Sequence, residues 1–382
     1  MRVLLLHSRY ASGHLSGENR VVEDEARLLE QAGHDVRRLT PSAEEVRGAR
    51  AVVAGLEAVW SRPAARALRS LLRNFRPDVV HCHNLFPLLS PAVLREAASD
   101  APLLVTLHNY RLLCLPATFV RDGARCEACL GRSPWRGAVY GCYRGSRAAS
   151  TPLAVSIALH RALGSFERVS LYLAVSAFVR DKHVHGGLPR GRIRVKPNFA
   201  WPAERRACAG DHFLYVGRLS PEKGLRPLVQ AWRGVPARLV LVGDGPEAAR
   251  LRSSLPPNVE LRPPVPPGEV PRLLASARAL VLPTLSYEGA PRGIVEAFAA
   301  GVPVLASAGG AVPELVEHGV SGLLLPSLAP PHVRAAAERL LDDAESTRLG
   351  AGAWTAWRER YSPEHGLGNL ERAYEAAARV AA

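Results

Sequence analysis

Glu288 and Glu296 lie eight positions apart in the run PTLSYEGAPRGIVEAFAAGVPVLASAGG. Glu288 falls in a loop with Gly289, Ala290 and Pro291. Glu296 falls about one turn into a helix predicted to start near Arg292. Two carboxylates held at a helix entry accept hydrogen bonds from ribose and sugar hydroxyls. The small residues between them let the backbone approach a phosphate closely. A capped helix with a solvated glutamate would look similar, but it would not call for the proline and the small-residue strand together. Upstream, VGRLSPEKG places Arg218 and Lys223 five residues apart just beyond a predicted strand. Two cations beside a helix N-terminus suit a diphosphate; the plain reading is a charged surface loop. GDGPEAARL sets Gly243 and Gly245 at another strand end. Such a turn is a weaker signal, because tight turns need glycine anyway. Together these stretches read as a site for an anion and a sugar.

A second set of reactive side chains lies earlier. LHNYRLLCLPATFVRDGARCEACLGRSPWRGAVYGC holds four of the six cysteines. Cys126 and Cys129 form a CxxC pair between Cys114 and Cys142, with gaps of 11, 2 and 12 residues. Three readings stay open: a structural zinc tetrahedron pinning a long loop, buried thiols, and a redox pair. The redox reading is the weakest, because no strand is predicted ahead of CEAC. In each case the segment is an insertion after the strand ending at His108 and Asn109. HCHN puts His81 and His83 on one strand face, with Cys82 and Asn84 beside them. A metal would need a third ligand that the sequence does not offer. The reading is a strand-end polar cluster.

Elements must hold these residues in place. RVLLLH, PDVVHCHN, PLLVTLHN and LYLAVS are short apolar runs suited to buried parallel strands. Each ends in a polar residue, where open α/β sheets bind ligands. SRYASGHLSGENR reads as a loop. VVEDEARLLEQAGHDV gives a helix ending at Gly33, and DVRRL the next strand. After the Gly and Pro breaks of GGLPRGRIRVKPNFA a new series begins: HFLYVGRLS, RLVLVGDG, VELRP and ALVLPT. The fold class is α/β with two doubly wound domains joined near residues 195–210. Residues 1–198 form an N-terminal domain with a Cys-rich insertion at about 110–147, and residues 199–362 form a C-terminal domain. Residues 363–382 form a last helix whose packing stays open, a return to the N-terminal domain included. In SRPAARALRSLLRNFRPD, the arginines Arg62, Arg66, Arg69, Arg73 and Arg76 share one helical face. Ala64, Ala67, Leu68, Leu71 and Phe75 take the other. The arginine face is solvated, or it meets an anionic membrane or an acidic partner.

The totals agree with two domains. A chain of 382 residues, 47% of them apolar, can bury two cores. The net charge of +14 points toward polyanions. Arginine carries nearly all of it, the lysines being Lys182, Lys196 and Lys223. Arginine bias also follows from GC-rich codons, so the charge is a poor guide to a partner. MRVLLLHSRY falls short of a secretory signal core. No apolar run approaches the roughly 18 residues of a membrane span. The expectation is a cytoplasmic protein, with peripheral placement at the inner membrane face left open.

With these motifs in view, the chain resembles the retaining glycosyltransferases of family 4, also called glycosyl transferases group 1. They have the GT-B fold, two doubly wound Rossmann-like domains facing across a cleft. VGRLSPEKG, GDGPE, the Glu288/Glu296 pair and GGAVPELVEHGVSGLLLP resemble the family's donor half. SGENRVVEDEARLLEQAGHDV, TLHNYR and AVSAFVRD resemble its acceptor half. The resemblance implies that Arg218 and Lys223 bind the nucleotide diphosphate and offset charge on the leaving group. Glu296 would hold the ribose and Glu288 the donor sugar. Gly243, Gly289, Ala290 and Pro291 would lie along the donor. Gly17 would let the acceptor domain approach the diphosphate, His108 would lie beside the transferred sugar, and the backbone near Val265 would meet the base. His83, Asn84 and Asn109 are the acceptor-side candidates. No metal or other cofactor is implied for catalysis. Two departures stand out: NFAW from Asn198 replaces the usual Asn-Gly-Val-Asp, and Ser16-Gly17 replaces Gly-Gly.

The implied function is transfer of a sugar from a UDP- or GDP-sugar to a hydroxyl acceptor, a polysaccharide, a lipid-linked glycan or a secondary metabolite. An alternative on the same fold is a synthase that accepts a sugar phosphate. An alternative of another class is a zinc-containing nucleic-acid-binding protein. Against it, the chain has no recognised nucleic-acid module and no clustered basic and aromatic motif.

Overall fold

The computed structural model describes residues 1–11, 16–45 and 49–381. Residues 12–15, part of the run read as a loop, lie outside the described residues. The chain forms two units. The first takes residues 1–121, 126–197 and 366–382; the second takes 122–125 and 198–365.

The strands in chain order are β1 (Arg2–Leu6), β2 (Asp35–Leu39), β3 (Val79–Cys82), β4 (Leu103–Leu107), β5 (Val120–Arg121), β6 (Ala124–Arg125), β7 (Leu171–Ala174) and β8 (Ile193–Val195). They continue with β9 (His212–Val216), β10 (Arg238–Val242), β11 (Val259–Arg262), β12 (Ala277–Leu282), β13 (Val304–Ser307) and β14 (Gly322–Leu325). The first unit's sheet runs β2-β1-β3-β4-β7-β8, and the second's β11-β10-β9-β12-β13-β14. Neighbouring strands in both are parallel. Parallel strands covered by helices on both faces are apolar along their whole length. Accordingly Val3 to Leu6 of β1 and all of β3, β4 and β7 are buried. DVRRL is partly exposed because β2 is an edge strand.

Strand order reverses beside the first strand of each sheet, between β1 and β3 and between β9 and β12. At such a reversal the connections leave toward opposite faces and open a crevice outside the strands' C-terminal ends. The site residues fall at these ends.

In the second unit Phe213 of β9 meets Trp232 edge-on at 5.0 Å, and the indole N–H donates to Ala237 O at 2.9 Å. Leu228, Leu239, Leu241, Ala279 and Val333 pack around them.

The helix Arg62–Phe75 departs from its expected phase. Ala64, Ala65, Leu68, Leu72 and Phe75 are buried, Ala67 is exposed and Leu71 only half-buried. Steps of 3, 4 and 3 from Ala65 keep a narrower stripe than the set expected from the sequence. The five arginines are all exposed. A second correction concerns CEAC: the two-residue hairpin strand β6 does precede it. It is too short to be the strand of a βαβ unit that presents a redox CxxC.

The last helix, Pro363–Ala381, supplies side chains to the first unit. Tyr374 OH bonds His81 Nδ1 at 3.0 Å, and Glu371 lies 3.2 Å from His34 Nε2. Among the described residues, no helix is long and apolar enough to cross a membrane.

Candidate active site

In the second unit the predicted donor residues gather at the β9/β12 reversal. Arg218 lies just beyond β9, is exposed, and has no ion-pair partner among the described residues. Its carbonyl accepts from Tyr215 OH at 2.7 Å, and Leu219 N–H donates to Asp244 O at 2.9 Å. The second bond ties the turn after β9 to the turn after β10. Gly243 is what lets the two turns touch, since a Cβ there would stand 1.9 Å from Gly217 O.

Lys223 closes a short 3-10 turn ahead of the helix Leu225–Trp232. Its Nζ lies 2.7 Å from Glu288 Oε1. Glu288 sits in the loop after β12, where Ala311 N–H donates to its carbonyl at 2.8 Å. The predicted diphosphate cation and the predicted sugar carboxylate therefore meet. The pair is part-buried, and it fixes the two side chains against each other.

Glu296 lies in the helix Arg292–Ala299, and its Oε1 accepts from Arg292 Nε at 2.6 Å. Arg292 was missed from the sequence, although its i, i+4 spacing to Glu296 was legible. Between the two glutamates Ala290 O accepts from Asn198 Nδ2 at 3.1 Å. Asn198, the one residue of NFAW that keeps the family pattern, thus braces this loop. Gly289 and Pro291 flank that contact, and Val265 lies in the loop after β11. A groove of about 850 Å³, lined among others by Ser220, Arg226, Glu247 and Arg250, includes none of the predicted donor residues.

In the first unit the strand ends deliver a histidine cluster. His108 Nε2 lies 2.9 Å from His83 Nδ1. His83 Nε2 lies 3.7 Å from Glu25 Oε2, and the other Glu25 oxygen accepts from the Lys196 ammonium. A proton on His83 Nε2, toward the carboxylate, leaves Nδ1 to accept from His108 Nε2–H. His108 then presents a bare Nδ1. His81 donates and accepts between Thr106 Oγ1 at 2.7 Å and Tyr374 OH at 3.0 Å. Burial holds His81, His83 and His108 well below the usual imidazole range, with the Lys196 charge acting the same way. All three are neutral near pH 7.

Glu25 is the third group beside His81 and His83 that the sequence did not reveal. One ligand atom from each lies within 4.8 Å of the others. Both His81 nitrogens are engaged, however, and Lys196 already supplies the cation on Glu25. The cluster is better read as a hydrogen-bond network than as a metal site.

The acceptor candidates divide. The His83 side chain is fully buried and reaches outward only through His108. The Asn84 amide is spent on the backbone, donating to Ser8 O and Phe86 O and accepting from Phe86 N. Asn109 is half-buried, and its Nδ2 donates to Glu18 Oε1 at 2.5 Å. Glu18 follows Gly17, which opens the helix Gly17–Gln31 and has free space on its Cβ side. Glu18 thus links the first loop to Asn109. Burial, partly offset by the bond from Asn109, raises its carboxyl above the usual range.

Known proteins match this layout. A model described as "Glycosyltransferase Family 4" matches residues 15–200, and one described as "Glycosyl transferases group 1" matches residues 210–343. The chain is 28% identical to the GDP-mannose-dependent alpha-mannosyltransferase of Corynebacterium glutamicum, over 94% of this chain and 85% of that protein. It is 29% identical to the 2-deoxystreptamine N-acetyl-D-glucosaminyltransferase of Streptomyces fradiae, over 84% of this chain and 75% of that protein. Its structure is similar to that of Anabaena Alr3699/HepE in complex with UDP and glucose. The TM-score is 0.66 at 18% identity, covering 97% of this chain and 99% of that one. At that identity the likeness shows the fold alone.

Proposed function

The chain belongs to glycosyltransferase family 4, and from that membership we propose that it moves a sugar from a nucleotide-diphosphate sugar to a hydroxyl acceptor, with retention at the anomeric carbon and without a divalent metal. One observation carries the reading: Lys223 and Glu288 meet at 2.7 Å just beyond the strand-order reversal that also presents Arg218. In the reaction the bond between the anomeric carbon and the diphosphate oxygen breaks. The acceptor oxygen takes its place on the same face and passes its proton to the departing diphosphate oxygen. Negative charge grows on the departing diphosphate, and Arg218 and Lys223 offset it. Glu288 takes hydroxyls of the sugar, and Glu296 those of the ribose. Neutral His108, oriented by His83, lies along the sugar.

The donor is a UDP- or GDP-sugar, the two nucleotide types named for the Anabaena and corynebacterial proteins. The acceptor is a hydroxyl of a growing glycan or of a small metabolite, and the site of action is the cytoplasm or the inner membrane face. Thermal-shift screening against UDP, GDP and their sugars tests the donor reading. A nucleotide at 100 times its Kd should stabilise the protein by roughly 2.7 kcal/mol. Silence across the panel, with salt-dependent binding of nucleic acid instead, would overturn it. Turnover should also survive a brief EDTA treatment. Activity lost to EDTA and restored by magnesium would refute metal independence.

A further inference from the structure

We propose that Cys114, Cys126, Cys129 and Cys142 form a structural zinc site in the first unit. The sequence left zinc, buried thiols and a redox pair open. The structure brings all four cysteines to the wall of one cavity of about 20 Å³. That is close to the space one water-sized sphere needs, so it suits a single ion and is far too small for an iron–sulfur cluster. Four thiolates are the soft ligand set that zinc takes in closed structural sites.

The backbone is arranged around the sulfurs. The Ala117 amide donates to Cys114 O at 2.8 Å, and the Gly137 amide to Pro134 O at 3.0 Å. Cys126 N–H is fixed on Phe119 O at 2.7 Å, and Cys142 N–H on Gly137 O at 2.9 Å. Gly137 is required by the packing: a Cβ there would stand 2.8 Å from the Leu115 side chain, next to Cys114. Zinc with four thiolates carries a net charge of −2, and Arg121 and Arg136 line the same cavity. Arg121 is held over the Tyr140 ring at 4.3 Å.

The segment also needs a staple. Between Tyr110 and Ser146 the regular structure amounts to the β5–β6 hairpin and the short helix Trp135–Val139. Of six described non-glycine residues with positive φ, four fall here: Ala117, Phe119, Asp122 and Arg144. A long connection with so much unfavourable backbone persists only where its surroundings hold it. Among the described residues, no three of these sulfurs lie mutually within 4.8 Å. A tetrahedron with 2.3 Å bonds needs about 3.8 Å between sulfurs. The ion therefore draws the side chains inward, on a backbone already folded around them.

The test does not depend on sugar transfer. The full chain, expressed without a histidine tag, is desalted and analysed for metals. About one zinc per chain is expected. X-ray absorption should find four sulfurs at about 2.3 Å. A mercurial added to the intact protein should release the zinc as it titrates the thiols. Cys126→Ser should lower the zinc content at least severalfold, whereas Cys208→Ser should leave it unchanged. If Cys126→Ser fails to fold, the absorption and release measurements on the parent protein still decide. Less than about a tenth of an equivalent of zinc, bound iron in its place, or disulfides among these four cysteines would overturn the proposal.

Discussion

Glu288 and Glu296 bear the same charge, yet their removal should be felt at different steps. Glu296 sits on a helix beside Arg292 and is assigned to the ribose, so Glu296→Ala should weaken nucleotide binding. A hydrogen bond to a charged group is worth roughly 1.5–3 kcal/mol, which is about 10- to 150-fold in Kd. Glu288 touches Lys223, at the place assigned to the reacting sugar. Glu288→Ala should lower kcat more than it lowers nucleotide affinity. Lys223→Ala should cost about 100- to 1,000-fold in kcat, the usual loss when one preorganised donor to developing charge is removed. Titration calorimetry with the free nucleotide, run beside steady-state kinetics, separates these effects. Unchanged nucleotide affinity in Glu296→Ala would sink the ribose assignment.

At the scale of elements, legibility followed the range of the interaction. Apolar runs such as RVLLLH and PLLVTLHN announced buried parallel strands, because period and composition are local properties. The turns after β9 and β12 were legible for the same reason. The partners of the histidines were not: Glu25 and Lys196 are 171 residues apart, and His81 and Tyr374 are 293 apart. No local pattern encodes such pairs; only the docking of the last helix and the end of β8 onto the first sheet creates them. Helix phase lies between these cases. In Arg62–Phe75 the arginine face was legible from its spacing, but the core stripe came out rotated, with Leu72 inside and Leu71 half-exposed. A direct test follows from that geometry. Leu68→Ala, at a fully buried site, should cost ~2–5 kcal/mol in urea unfolding. Leu71→Ala should cost less than half as much. Equal losses would mean that the stripe expected from the sequence is the one that packs.

For the molecule as a whole, the histidine cluster sets how stability responds to acid. His7, His81, His83 and His108 line the strand ends of the first unit. Asn19, Glu25, Thr106, Lys196 and Tyr374 face them from the elements packed around, with Arg9 and Glu23 acting on His7. Burial is the first cause of every shift, and it lowers His7 from 6.5 to about 4. An imidazole whose pKa is lower in the folded state binds its proton more readily when unfolded. Its contribution is therefore complete above the unfolded value near 6.5 and is lost as pH falls toward the folded value. His7 alone should remove roughly 2 kcal/mol between pH 7.5 and 5, at 1.36 kcal/mol per unit of pKa. Glu18 acts the other way, because its raised pKa favours protonation in the folded state. Among the described residues it is one raised carboxyl against six lowered histidines, His160 and His183 included, so the net effect should be a loss of stability on acidification. Urea unfolding between pH 7.5 and 5 should show the midpoint falling steadily, and His7→Gln should flatten that slope. A midpoint that holds or rises down to pH 5 would mean that these histidines, His108 among them, already carry protons in the folded protein.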